Sequence, residues 1–487
     1  MALVPLQVPP GVSSNGTDLQ NVGRWIDASL VRWHEGTVRP VSGWSARTAS
    51  TTNAAPRGCI AWTDLSDATN IALGTYNKLY HLSVGGTLSD ITPVGLTAGQ
   101  EDATLNTGYG GGFYGAGFYG TPRLTSSSYV PATTWALDNW GENLIACSDS
   151  DGKIYEWSLV TTVLPTAVTN APTNNATAFV TEERFLVALG AGGDPRKVQW
   201  SDKEDNTVWT AAATNEAGDF NLQTNGSIRQ GMRVRGQSLI LTDVDAHTMN
   251  YIGPQLVYGF QRVGSACGTI SRKAATVSNG VAYWMGPNGF FRYAGGGVEE
   301  IPCSVTDYVF SNVTGSQVSK IWAVPNTKFN EIWWFYPQGS ECDHYVVYNY
   351  AENHWSVGVL GRTAGTDGGV VTVPVYAAAD GAIYDHETGN NYDGAEVFAE
   401  ALNFTGDTVS AVTHLIPDED TQGDVTVTFK TRYYPNDTEY THGPYTMASP
   451  TSVRFSGRQI RSRITGNALA SWRWGIPRID MKQMGGR

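Results

Sequence analysis

A pair of short apolar runs, each closed by a polar turn, recurs seven times along this 487-residue chain. The fullest copy lies in KIWAVPNTKFNEIWWFYPQGSECDHYVVYNYAENHWSVG, residues 320–358. In an extended run, Ile332, Trp334 and Tyr336 face one side and Trp333 and Phe335 the other. Both faces are bulky and apolar, so the strand is expected to be buried on both sides. Pro337–Ser340 reads as the turn, Tyr345–Tyr348 as the answering strand, and His354–Val357 as the next. Similar pairs are Ile71–Gly74 with Lys78–Leu82, Leu144–Cys147 with Lys153–Trp157, and Phe185–Leu189 with Val198–Trp200. Leu239–Thr242 with His247–Tyr251, Val281–Trp284 with Phe290–Tyr293, and Val375–Ala378 with Ala382–Tyr384 complete the series. Their starts near 71, 144, 185, 239, 281, 332 and 374 are spaced, after the first gap, by 41, 54, 42, 51 and 42 residues. A hairpin with two apolar faces must stack on neighbours, and this period is that of propeller blades, here six to eight of them. Unrelated sandwich hairpins are the alternative, because the units share no short motif.

Aromatic residues make up 11% of the chain and charged residues 16%, with 55 glycines, which suits many short strands and tight turns. One window has a helical period: Ser304 to Gln317, where Ser304 or Thr306 would cap a short helix carrying Val309, Phe310 and Val313. The fold class expected is all-β: a β-propeller over 51–394, a C-terminal β-sandwich-like domain over 395–487, and an irregular N-terminal arm over 1–50. In the last domain, Val425–Lys430 and Val453–Ile464 alternate apolar with polar, as half-exposed strands do.

Two segments stand out as candidate assembly surfaces. The arm alternates Trp25, Trp33 and Trp44 with Arg24, Arg32 and Arg39. Tryptophans covering a sheet edge, with arginines paired to acids such as Asp27 and Glu35, is one reading. An interface arm is the other, since Trp and Arg concentrate at interaction hot spots. The propeller region carries an insertion near 101–135 whose centre, GYGGGFYGAGFYG, presents Tyr109, Phe113, Tyr114, Phe118 and Tyr119. It is either a solvent loop or, as we favour, a segment ordered against a partner subunit, because five free aromatics invite aggregation.

The net charge of −13 argues against a dedicated basic cleft for nucleic acid. Residues 451–487 nevertheless hold eight Lys or Arg against one acid, Asp480. Arg454, Arg458, Arg461 and Arg463 head this group and are the third candidate surface, suited to an acidic neighbouring ring or to pairing within the domain. Five scattered cysteines with no CxxC fit reduced thiols. No apolar run approaches the roughly 20 residues needed to cross a bilayer, and the N-terminus has no Sec-type signal pattern. No histidine cluster, P-loop or nucleophile elbow occurs, so no catalytic residues, metal, cofactor or small-molecule substrate are expected. Asp149–Gly152 opens like a calcium loop, but Val160 stands where a glutamate is needed, so a hairpin turn is expected there.

Several stretches together resemble the tail nozzle proteins of short-tailed bacteriophages, also called tail tubular protein B or packaged-DNA stabilisation proteins. They are GRWIDASLVRWHEGTVRPVSGW, GYGGGFYGAGFYGTPR, NEIWWFYP with YVVYNYAENHWS, and the ending GRQIRSRITGNALASWRWGIPRIDMKQMGGR. The resemblance implies a non-enzymatic virion protein, assembled in the host cytoplasm. Six copies would form a tube that retains and then conducts double-stranded DNA, touching it transiently and without sequence preference. Its implied partners are the adaptor ring, tail fibres, and a needle or plug. A propeller-type carbohydrate-binding or glycan-cleaving protein of a phage tail tip is the alternative, with Trp284 and Trp334 as sugar-stacking candidates.

Overall fold

A computed structural model describes residues 2–105, 129–434, 436–466 and 469–484. Among the described residues, seven four-stranded antiparallel sheets form a closed propeller ring. Blades 1 to 6 span residues 58–90, 135–167, 177–221, 228–265, 275–301 and 322–359. Blade 7 takes Ala364–Thr366, Val375–Ala377 and Ile383–His386, then borrows its outer strand, Trp44–Ala46, from the N-terminus. The pairing Tyr384↔Ala46 through His386↔Trp44 thus closes the ring.

The apolar runs evident in the sequence are the second strand of each blade. Leu186–Leu189 and Glu331–Pro337 are buried at every position, because an interior strand has blades on both faces and partners on both edges. In blade 6, Trp333 pairs with Val347 and Trp334 with Val346, and both tryptophans are buried. The innermost strands were not legible as such. Ile228–Val234 carries Arg229, Gln230 and Arg233, since its inner edge borders the central channel rather than a core. Each innermost strand packs beside the next around the axis, from blade 1 through blade 7 and back to blade 1.

The short helix forms at Thr306–Asn312, with Val309 buried. It has no side-chain cap: the Ser304 hydroxyl donates instead to the Val12 carbonyl at 2.5 Å, and that of Thr306 to the Cys303 carbonyl at 3.0 Å. The Asp149–Gly152 segment is the turn between the second and third strands of blade 2.

Beyond residue 394 the expected sandwich is one hydrogen-bonded sheet of seven strands. Its order is Ala2–Pro5, Arg478–Gln483, Phe398–Ile416, Thr451–Gly466, Val425–Arg432 and Tyr440–Thr446, with Arg24–Ser29 also paired to the long Phe398–Ile416 strand. The sheet curls back on itself. Phe429 stands opposite Ser462, and Phe455 lies seven residues, about 23 Å of straight strand, further along. The Phe429 and Phe455 rings are nevertheless 4.7 Å apart, so the long strand bends, and its pairing with Phe398–Ile416 shifts register at three places. The arm expected to be irregular contains five short strands that run into both bodies. It shows no sequence alternation because its strands are three to six residues long; Val31–His34 and Thr37–Pro40 pair with each other, and the other three pair with partners hundreds of residues away.

Candidate functional site

The arm residues lie in the interior of the chain. Trp25 and Trp33 are 4% and 1% exposed, their rings 5.9 Å apart, in the core shared by blade 6 and the C-terminal sheet. Arg32 projects from the hairpin Val31–His34/Thr37–Pro40 into the seam between blades 6 and 7. It meets Glu331 through two bonds of 3.0 Å and Glu387 at 2.5 Å, and Trp333 Nε1 also donates to Glu331 at 3.0 Å. Burial pushes the Glu331 carboxyl up against the pull of Arg32, while the two carboxylates keep the guanidinium charged despite its own burial. The partners are therefore Glu331 and Glu387, not the nearby Asp27 and Glu35. Arg24 is half-buried beside Trp25. Trp25, Arg32 and Trp33 are thus spent inside the chain, with little surface to offer another subunit.

The aromatics Tyr109, Phe113, Tyr114, Phe118 and Tyr119 lie outside the described residues. Thr104–Leu105 pairs with Tyr129–Val130 as a short stem. The residues leading to it reach past blade 7 to the loop that enters blade 6. Arg57 Nη2 donates to the Glu101 carbonyl, Lys320 binds Asp102, Gln317 Oε1 accepts from Ala103 N at 3.1 Å, and Ser319 Oγ accepts from Ala132 N at 3.1 Å. The base of the insertion is therefore fixed to the loops that enter blades 1 and 6.

Arg461 and Arg463 make ion pairs within the chain. Arg461 binds Asp18, with Glu439 at 3.9 Å, and Arg463 binds Glu396 at 2.9 Å and Glu400 at 3.4 Å while lying over the Phe398 ring. Arg458 stacks over Tyr434 at 5.0 Å. Arg454 is exposed and makes no ion pair among the described residues. Of the four, it is the one whose charge faces outward.

The residues a sugar-stacking surface would need are closed off: Trp284 and Trp334 are both 0% exposed, their indole N–H groups bonded to the Cys267 and Ala274 carbonyls. Sequence reasoning missed the polar lining of the central channel, Arg57, Gln230 and Lys273, which surrounds a cavity of about 270 Å³. Lys273 follows Arg272 in a turn-like stretch and reads as a solvated pair. Nothing in the sequence marks it as facing the axis.

No family model matches the sequence, and no curated protein matches it. Solved structures similar to it include a streptogramin B lyase, at 11% identity and a TM-score of 0.44 over 70% of this chain and 96% of that one. Virginiamycin B lyase from Staphylococcus aureus is similar at 8% identity and a TM-score of 0.45, over 70% and 99% of the two chains. YCF48 bound to D1 peptide is similar at 8% identity and 0.40, over 74% and 100%. At these identities the likeness concerns the propeller fold alone.

Proposed function

We propose that this chain is a structural subunit of a short-tailed phage tail, six copies of which form the nozzle tube that retains and later conducts genomic DNA. The observation that carries this reading is the placement of the stretches behind the resemblance. The two at opposite ends of the chain pair across one sheet: Arg24 stands opposite Leu402, and Leu402 opposite Arg461. That sheet shares its core with blade 6, the third such stretch. A fold that anchors both termini into one continuous β body suits a wall that must bear internal pressure.

The channel of a single propeller cannot be the conduit. Its cavity of about 270 Å³ is far smaller than even one turn of a duplex whose major groove alone is about 12 Å wide. DNA would pass between copies, along a lumen walled by the acidic body of the chain, where like charge prevents the phosphate contacts that would arrest it. The adaptor ring, fibres, and needle or plug are the partners this role requires, and the outward Arg454 and the insertion are the surfaces we assign to assembly. The test uses genome-filled heads of the cognate phage that lack this chain. Adding the purified protein is expected to make their DNA resistant to nuclease. DNA that stays equally sensitive would overturn the proposal.

A further inference from the structure

Unpaired charge of opposite sign collects at two ends of this chain. The outer face of the C-terminal sheet carries Arg454 on the strand Thr451–Gly466, and Arg478 and Lys482 on the strand Arg478–Gln483. These two strands flank Phe398–Ile416. Strand alternation turns the three cations outward: Val453, Phe455 and Ile479 beside them are buried, and all three cations are exposed. Arg478 stands opposite Ile416 and Lys482 opposite Ala411, while Arg454 flanks the bulge between Val412 and His414. At strand spacing and rise they lie within about 15 Å of one another. None of the three makes an ion pair among the described residues. The acid between them, Asp480, is already engaged, accepting from Thr413 Oγ1 at 2.9 Å with His414 Nδ1 at 3.8 Å.

The opposite imbalance lies on blades 2 and 3. Glu142 and Glu182 sit in the turns between the first two strands of these blades, and Glu204 and Asp205 in the loop between the last two strands of blade 3. Strands that alternate in direction bring all of these turns to one face of the ring. They are neighbours there: Glu204 N donates to the Arg184 carbonyl at 2.9 Å, and the Arg184 guanidinium lies 5.3 Å from the Trp140 ring of blade 2. None of the four carboxylates makes an ion pair among the described residues. The cations among them, Arg184 and Lys203, lie over the Trp140 and Tyr251 rings instead.

These surfaces cannot neutralise each other within one chain. The C-terminal sheet shares its core with blade 6. Blades 2 and 3 each stand three places from blade 6, the largest separation a seven-bladed ring has. Two copies can bring the surfaces together, and a contact between unlike surfaces is head-to-tail, so it repeats from copy to copy and closes into a ring.

We propose that the basic face of the C-terminal sheet, Arg454, Arg478 and Lys482, docks on the acidic rim of blades 2 and 3, Glu142, Glu182 and Glu204, of the next copy. This contact rests on the six-copy reading and names the surfaces that join those copies. Each surface repels itself until the other approaches, so association should be steered by charge and sensitive to screening, whose length is about 8 Å at 0.15 M salt. Arg461 and Arg463, paired within the chain, take no part.

Sedimentation velocity of the full chain across ionic strength tests the contact. Wild type should assemble at about 0.05 M salt, and its association should weaken about tenfold or more by about 0.5 M. Arg478→Glu with Lys482→Glu makes both surfaces acidic, and Glu182→Lys with Glu204→Lys makes both basic. Each variant alone should stay monomeric where wild type assembles. An equal mixture of the two should assemble again, because the acidic sheet of one then meets the basic rim of the other and the reverse, in alternation around the ring. All four substituted side chains are exposed, and unchanged melting midpoints check that the variants fold; the salt dependence of wild type needs no variant. Assembly of either variant as strong as wild type, a mixture that stays monomeric, or wild-type assembly indifferent to salt would each overturn the contact and leave a six-fold ring standing. Wild type that stays monomeric even at low salt would overturn the contact and the six-copy reading together.

Discussion

Replacing Trp334 with alanine should unfold the chain's largest core rather than impair a contact with another molecule. Trp334 is fully buried, its ring 4.9 Å from Phe290 and 6.1 Å from Trp355, and its Nε1 donates to the Ala274 carbonyl at 3.0 Å. Truncating a buried tryptophan costs about 3–5 kcal/mol through lost transfer energy and the cavity left behind. The severed hydrogen bond adds little, because the Ala274 carbonyl still accepts from Met285 N at 3.1 Å. Without that second donor the carbonyl would add about 1–3 kcal/mol, so about 4 kcal/mol is the working value. Trp334→Phe keeps most of the ring and should cost less than half of this. The assay is urea denaturation followed by circular dichroism, with the slope checked for constancy before midpoints are compared. A Trp334→Ala protein whose unfolding free energy lies within about 1 kcal/mol of wild type would refute the reasoning.

Three further outcomes follow from the charged groups. Arg32→Ala should destabilise by about 3–5 kcal/mol because it strands Glu331 and Glu387 in the interior. Burial already pushes the Glu331 carboxyl up, and losing Arg32 raises it further, so the variant should recover stability relative to wild type as pH falls from 7 to 5; an unchanged difference would count against this. Lys273, held at about 8 when folded against 10.5 ordinarily, binds fewer protons folded than unfolded across that interval. Its contribution to stability should therefore rise with pH from 8 to 10.5, a slope that Lys273→Met lacks in melting curves compared across pH. Arg461→Ser with Arg463→Ser removes pairs to Asp18, Glu396 and Glu400, and should lower monomer stability by about 1 kcal/mol while leaving assembly intact. Loss of assembly with unchanged melting would return these arginines to the interface.

The parts of this fold that could be read from sequence are those whose residues see a uniform environment. Ile332–Tyr336 and Leu186–Leu189 are interior strands with blades on both faces, and such strands must be continuously apolar. Two such strands per blade sufficed to place the ring. The innermost strands border a polar channel, so Ile228–Val234 shows no pattern that separates it from a loop. Trp44 closes blade 7 through pairing with His386, a partner no local signal announces. The arginines of the arm illustrate the same limit. Their type indicated pairing with acids, but the acids that pair with Arg32 lie 299 and 355 positions away. Burial of Trp25 and Trp33 likewise depends on a sheet assembled from both ends of the chain.

The claim on which the account rests is that copies of this chain, and not one propeller channel, enclose the path of DNA. Single-particle electron microscopy of the purified assembly tests it most directly. The account predicts class averages with six-fold symmetry, six propellers arranged around a lumen wide enough for a DNA duplex. Isolated propellers at assembly-competent concentration, or a ring closed along its axis by the protein itself, would contradict it.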